Sequence, residues 1–200
     1  MTIAGGSLAR LAYIAEVTYG TTPATPAFQI INPTSHSIGL EKETFQSETI
    51  RSDRQLNDFR HGVRQASGDI GIEFRDASWD DLLQAVMMGT WSTDVLKAGT
   101  TRRSFTIERF FSDVTRYRRA VGCEFNSFSL ECPATGIVTG TFSVLGMDDT
   151  GSGTAIAGSS YTADPNENVM DSPSGSITVG GSAVTCISAI KLTLENGIEN

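Results

Sequence analysis

The chain has 200 residues, 39% of them hydrophobic and 19% charged, with 20 glycines, and a formal net charge of −8 at a sequence pI near 4.7. That length suits one domain with its own core, and the acidic balance excludes a protein that grips nucleic acid, because such binding rests on Lys and Arg neutralising phosphates. Cys123, Cys132 and Cys186 cannot all pair within one chain and form no CxxC spacing, so reduced thiols are expected rather than zinc or dithiol chemistry.

The first residues lack a basic stretch followed by an unbroken apolar run, and no segment reaches the length of a membrane span, so neither a signal peptide nor membrane insertion is expected. From Met1 to Pro26 the sequence is small and polar, punctuated by Gly20, Pro23 and Pro26, and it reads as an extended N-terminal arm that needs a partner to be ordered. Residues 27–32 and 36–42 read as short strands, the second with Ile38 and Leu40 alternating against Ser37, Gly39 and Glu41. Phe45 to Gln65 is polar and charged without a sustained period and reads as a long loop, a length that marks either a docking element or a solvated surface segment.

Ser67 to Phe74 alternates cleanly, Ile70, Ile72 and Phe74 on one face and Asp69, Gly71 and Glu73 on the other. A helix is expected over 78–89: Ser78 caps it, Asp80 and Asp81 sit in the first turn where the dipole favours negative charge, and Gly89 ends it. Its stripe of Trp79, Leu82, Leu83, Val86 and Met87 is a core-facing surface. Strands follow at 103–111, 115–123, 124–132 and 136–145, then an exposed Gly/Ser-rich excursion over 147–174, then a hairpin of 176–179 with 183–194. Asn196 and Gly197 signal another turn with only three residues after it, so either a C-terminal continuation is missing or the last strand pairs with another subunit.

Charge is unevenly spread. Residues 102–119 hold six arginines against Glu108 and Asp113, whereas from Ala120 onward Lys191 alone faces nine acidic residues. Unlike surfaces of this kind suit head-to-tail contact between copies.

The inventory for catalysis is thin. His36 and His61 are the only histidines, and no HExxH, CxxC or GxSxG pattern is present. Gly151 to Gly158 superficially looks like a phosphate loop but lacks the Lys-Ser/Thr ending and any following helix. No catalytic, cofactor-binding or metal site is expected, and the chain reads as a non-enzymatic, mostly β protein.

Two stretches carry a resemblance. EVTYGTTPATP from Glu16 to Pro26, leading into AFQIINPTSHSI, and SETIRSDRQLNDFRHGVRQASGDIGIEF from Ser47 to Phe74, followed by SWDDLLQAVMMGTW, resemble the tail tube (major tail) proteins of long-tailed, non-contractile bacteriophages, the siphophages. The likeness runs over residues 10–91; the later half resembles the family in strand rhythm only. It implies a single tail-tube domain: a β-sandwich or barrel-like fold with one flanking helix, whose strands join those of neighbours into a hexameric ring around a channel. Such rings stack into a tube that conducts DNA, with tail tip, tape measure and tail terminator proteins as partners, in the virion tail after assembly in the host cytoplasm. It implies that the arm and the loop over 45–65 bridge rings, which makes Glu16, Tyr19, Arg51, Asp53, Arg54, Asp58, Arg60 and Arg64 docking candidates.

A conduit should not hold phosphates, so acidic and hydroxyl side chains suit its inner wall. On alternation Glu41, Glu43, Asp69 and Glu73 are placed toward the lumen, with Thr139, Thr141 and Ser143 as further candidates; otherwise they are the solvated face of a monomeric sandwich. Two other readings are carried forward: the inner tube of a contractile tail or secretion system, which shares the physics, and a carbohydrate-binding or adhesin-like sandwich, which would call for a cluster of exposed aromatics.

Overall fold

The computed structural model describes residues 9–47, 59–165, 168–176, 178–184 and 188–198. Thirteen strands and one helix follow in the order β1 (Ala9–Ala15), β2 (Ala27–Ile31), β3 (Ser35–His36), β4 (Gly39–Gln46), β5 (Phe59–Glu73), α1 (Asp80–Val86), β6 (Phe105–Phe111), β7 (Arg116–Pro133), β8 (Thr139–Gly146), β9 (Asp148–Ser152), β10 (Ser160–Thr162), β11 (Thr178–Val179), β12 (Ser182–Ala183) and β13 (Ala189–Glu195). All but β11 and β12 belong to one hydrogen-bonded sheet. The mostly β, sandwich-like fold with one flanking helix is the one expected.

The long strand β7 organises the sheet. Along one edge it pairs with β9 and then β8; along the other it pairs with β6 and then β13. It bends between these halves at Gly122, whose φ of +64° suits glycine. A side chain there would also meet Met147 Cβ at 3.0 Å and the Tyr19 ring at 3.1 Å. A register shift between Phe125 and Ser127 adds to the bend, as bulges do. The first lobe thus comprises β10, β2, β1, β6, β9 and the start of β7; the second comprises β3, β4, β5, β8, β13 and the end of β7.

Both lobes feed one core. Leu11, Tyr13, Ile31 and Ile107 from the first join Ile70, Ile72, Phe142 and Val144 from the second, with Trp79, Leu82 and Val86 of the helix segment closing it. Edge-on ring pairs run through it, Tyr13 to Phe105 to Phe125 to Phe142 at centroid separations of 5.8, 5.5 and 5.6 Å. Such pairs add about 0.5–1.5 kcal/mol each beyond the area they bury. The helix is tied to both lobes: the Tyr13 hydroxyl donates to Asp81 at 3.1 Å, and Asn196 Nδ2 donates to the Val86 carbonyl at 2.8 Å.

Several sequence expectations change. The arm expected through Pro26 contains β1, which lies between β2 and β6 with Leu11, Ala12 and Tyr13 buried. Alternation of only two large apolar residues hides it, because Arg10 and Ala12 on its other face are themselves covered. The loop expected over 45–65 is, where described, the two strands of a hairpin, β4 reaching Gln46 and β5 beginning at Phe59. The strands expected at 115–123 and 124–132 are one, since the chain bends at Gly122 without turning back.

The helix is shorter, Asp80–Val86, and Ser78 does not cap it: Ser78 Oγ instead donates to Asp164 at 2.6 Å. Gly89 follows a left-handed Met88 and is required for a different reason, since a Cβ there would lie 2.0 Å from the Lys97 carbonyl. The excursion over 147–174 is in part packed, because β9 pairs with β7, β10 pairs parallel with β2, and Asp149 is buried. The hairpin expected of 176–179 with 183–194 is present in short form, β11 with β12 across Gly180 and Gly181, whereas β13 pairs with β7.

Candidate functional site: a polar sheet face and a projecting hairpin

Pairing registers bring most of the polar candidates onto one surface. Opposite the core, the second lobe presents rows of side chains across its strands: Asp69, Ser143, Ser127 and Glu195; Gly71, Thr141, Ser129 and Thr193; and Glu73, Thr139, Glu131 and Lys191. Residues directly opposite in antiparallel strands share a face, so each row is a contiguous band. Glu41 opposite Gln65 continues the same face on β4. Ser127, Ser129, Glu131, Lys191, Thr193 and Glu195 were not singled out from the sequence; once the β7–β8 and β7–β13 registers are known, simple alternation assigns them.

Glu43 follows Glu41 by alternation along β4. The register shifts between Lys42 and Thr44 with the extra residue on β5, so the alternation of β4 is unbroken and Glu43, beside Gly62 together with Phe45, keeps the side of Glu41. Period-2 reading is interrupted instead on β5, at Gly62 and Val63, where the extra residue sits.

Hydroxyl and carboxylate groups dominate the surface. Glu41, Asp69, Glu73, Glu131 and Glu195 are its acids and Lys191 its base, the latter 2.9 Å from Glu131. Glu73 lies 3.9 Å from Arg75, whose other contact is Asp164 at 3.1 Å. Ser37 fixes the edge of the face by accepting the Asp69 amide on its hydroxyl at 2.9 Å, while its own amide donates to the Asp69 carbonyl at 2.9 Å. Among the described residues no cluster of three or more His, Cys, Asp and Glu is placed to hold a metal.

The second feature is the outer part of the β4–β5 hairpin. Beyond its pairing with β8, β5 continues with β4 as its ladder partner, and Phe45, Phe59 and Val63 are exposed at 53%, 50% and 71%. Arg64 anchors the hairpin base to Asp148 at 2.9 Å. Arg60 stands opposite Phe45 in this ladder. The other docking candidates of this region, Arg51, Asp53, Arg54 and Asp58, lie outside the described residues.

Glu16 and Tyr19 lie together at the turn after β1. Glu16 is committed within the chain: its Oε1 accepts the Thr106 hydroxyl at 2.8 Å and the Gly122 amide at 2.9 Å, and its Oε2 accepts the Gly20 amide at 2.8 Å. The carboxylate therefore shapes the turn, and the turn presents Tyr19 and the 96% exposed Val17. Val17 carries no polar signal that sequence reading would single out.

Much of the arginine-rich stretch is engaged within the chain, while Arg102 and Arg118 keep 59% and 43% of their side chains exposed. Glu108, buried on β6, accepts from Tyr161 at 2.6 Å and Arg119 at 2.8 Å, with Arg10 at 3.5 Å. Arg109, also buried, pairs with Asp149 and donates to the Ile38 carbonyl; Arg118 reaches the same Asp149 carboxylate at 2.8 Å. Arg102 pairs with Glu124. Burial pushes the Cys123 thiol up, and half-burial, reinforced by Arg109, holds His36 below the usual imidazole range.

Comparisons with known proteins follow this geometry. No curated protein matches the chain. The tail of an empty GTA particle, determined with helical refinement and C6 symmetry, is similar at 15% identity and a TM-score of 0.50, covering 76% of this chain and all of that one. The tube-terminating cap and the baseplate of the anti-feeding prophage are similar at 10% identity each, with TM-scores of 0.46 and 0.47, covering 78% and 76% of this chain and 93% and 97% of theirs. The family model described as phage tail tube protein matches residues 6–200, so the chain belongs to the phage tail tube protein family, a family of structural tail components.

Proposed function

We propose that copies of this chain close into a hexameric ring with the polar face of the second lobe turned inward, and that the rings stack into the tail tube of a non-contractile phage. The observation that carries this reading is the continuity of that face: four paired strands, β5, β8, β7 and β13, present hydroxyls and carboxylates on one side and turn the other toward the core, and Glu41 extends the face onto β4. A wall of this chemistry repels the phosphate backbone and lets DNA slide, since binding would need cations to neutralise it. The six-fold number is supported by the C6 symmetry of the GTA tail. The non-contractile assignment rests on the Glu16–Pro26 and Ser47–Phe74 stretches.

The projecting hairpin, with its exposed Phe45, Phe59 and Val63, and the Val17 turn serve as contacts between copies. Tail tip, tape measure and tail terminator proteins are the further partners, the virion tail is the location, and assembly takes place in the host cytoplasm. Size-exclusion chromatography and negative-stain microscopy of the purified chain test the reading. Rings or tubes with a central hole support it; a strictly monomeric species at high concentration overturns it.

A further inference from the structure

Which strand edges meet between copies follows from counting strands, and the inference rests on the ring reading above. Through the second lobe runs the path β4–β5–β8–β7–β13, with β3 on the same outer edge of β5 as β4, and each of its four pairings is antiparallel. Direction alternates along such a run, so with five strands the first and the last point the same way. The outer edges of β4 and β13 carry no further strand among the described residues. Exposed edges of this length invite another chain.

Rotation about a ring axis moves a copy without reversing its polarity along that axis. A β13 laid beside the β4 of the next copy is therefore parallel to it. We propose that the seam between adjacent copies is this parallel pair, β13 of one copy with β4 of its neighbour, each ring being closed by such seams.

The side chains agree with that placement. Keeping the polar face inward puts Lys191 and Glu41 on the same side of the seam, and Ile190 and Leu192 on the other side with Leu40. Lys191, 68% exposed and already beside Glu131, then stands between two carboxylates. Ile190 and Leu192, exposed on the isolated chain, gain cover. Aligning Gly39–Lys42 with Ala189–Leu192 achieves both matches at once.

The competing arrangement has β13 leave, so that β4 of the neighbour pairs antiparallel with β7. The anchoring of β13 opposes this. Leu194 packs on the core, Asn196 Nδ2 donates to the carbonyls of Val86 at 2.8 Å and Phe125 at 3.1 Å, and the Asn196 amide donates to the Asn126 carbonyl at 2.8 Å. The Ile198 amide adds a bond to Asn126 Oδ1 at 2.8 Å.

Cross-linking decides between them. In the full chain with Cys132→Ser and Cys186→Ser, buried Cys123 being retained, Glu41→Cys is combined with Lys191→Cys in one variant and with Ser129→Cys in another; both are imaged, then mildly oxidised. The expected result is a ladder of covalent oligomers up to the closed ring from assembled E41C/K191C, none from its monomer, and none from E41C/S129C. Rings that link through Ser129→Cys, or through neither pair, overturn the seam and leave the ring reading intact; absence of rings from the unsubstituted chain overturns both. Charge reversal provides a second reading where the cysteine variants do not assemble. E41K and K191E should each raise the concentration needed for assembly several-fold, and the double reversal should restore it; failure of the double to restore assembly counts against the seam.

Discussion

Asp149→Ala should be among the most damaging single substitutions away from the hydrophobic core. The carboxylate is buried, and it holds two guanidinium groups, Arg109 and Arg118, the first buried with it. Removing it leaves Arg109 in a low-dielectric site with the Ile38 carbonyl as its remaining hydrogen-bond acceptor, and breaking a buried pair in this way costs about 3–5 kcal/mol. A domain of this length unfolds with an entropy of about 0.4 kcal/mol/K, so the melting temperature should fall by about 10 °C. The assay is thermal and urea unfolding of the unassembled chain, because assembly would add stability by mass action.

The double variant Arg109→Met with Asp149→Leu supplies the control, since exchanging both partners for apolar groups is far less costly than orphaning one. A loss below about 3 °C for Asp149→Ala, or a double variant no more stable than the single, would refute the claim that this pair locks β6 to β9 and to the root of β4.

Gly122→Ala should destabilise by about 1–3 kcal/mol, from positive φ combined with the contacts to Met147 and Tyr19, as measured by urea unfolding. His36 binds its proton less readily in the fold than in the unfolded chain, so stability should fall as pH drops below about 6.5, and His36→Asn should flatten the melting-temperature profile between about pH 7 and 5.5. Asp69→Lys with Glu73→Lys should leave the fold intact, both sites lying outside the core, and slow DNA passage, read as delayed genome release from reconstituted particles; unchanged release would count against the anionic wall.

What the sequence made legible was what its local periods encode. Ile70, Ile72 and Phe74 against Asp69, Gly71 and Glu73 assigned the faces of β5 correctly, because no bulge interrupts its pairing with β8 over that span. The register shift at Lys42–Thr44 leaves no sequence mark; its extra residue falls on β5, so simple alternation fails there at Gly62 and Val63. Strand β1 was missed because Ala9, Ala12 and Ala15 contribute little hydrophobic signal, and its burial on both faces is a tertiary effect. The arginine stretch shows a related limit: charge along the chain does not reveal that Asp149, far along the sequence, meets Arg109 and Arg118 inside the fold. The face contributed by Ser127, Ser129 and Thr193 depends on long-range registers that only the folded sheet supplies.

A helical reconstruction of tubes assembled from the purified chain tests the central claim most directly. Side chains of Asp69, Thr141 and Ser129 lining a continuous central channel are the predicted result. A tube in which those residues face the exterior, or in which the second lobe lies on the outer wall, would contradict the account.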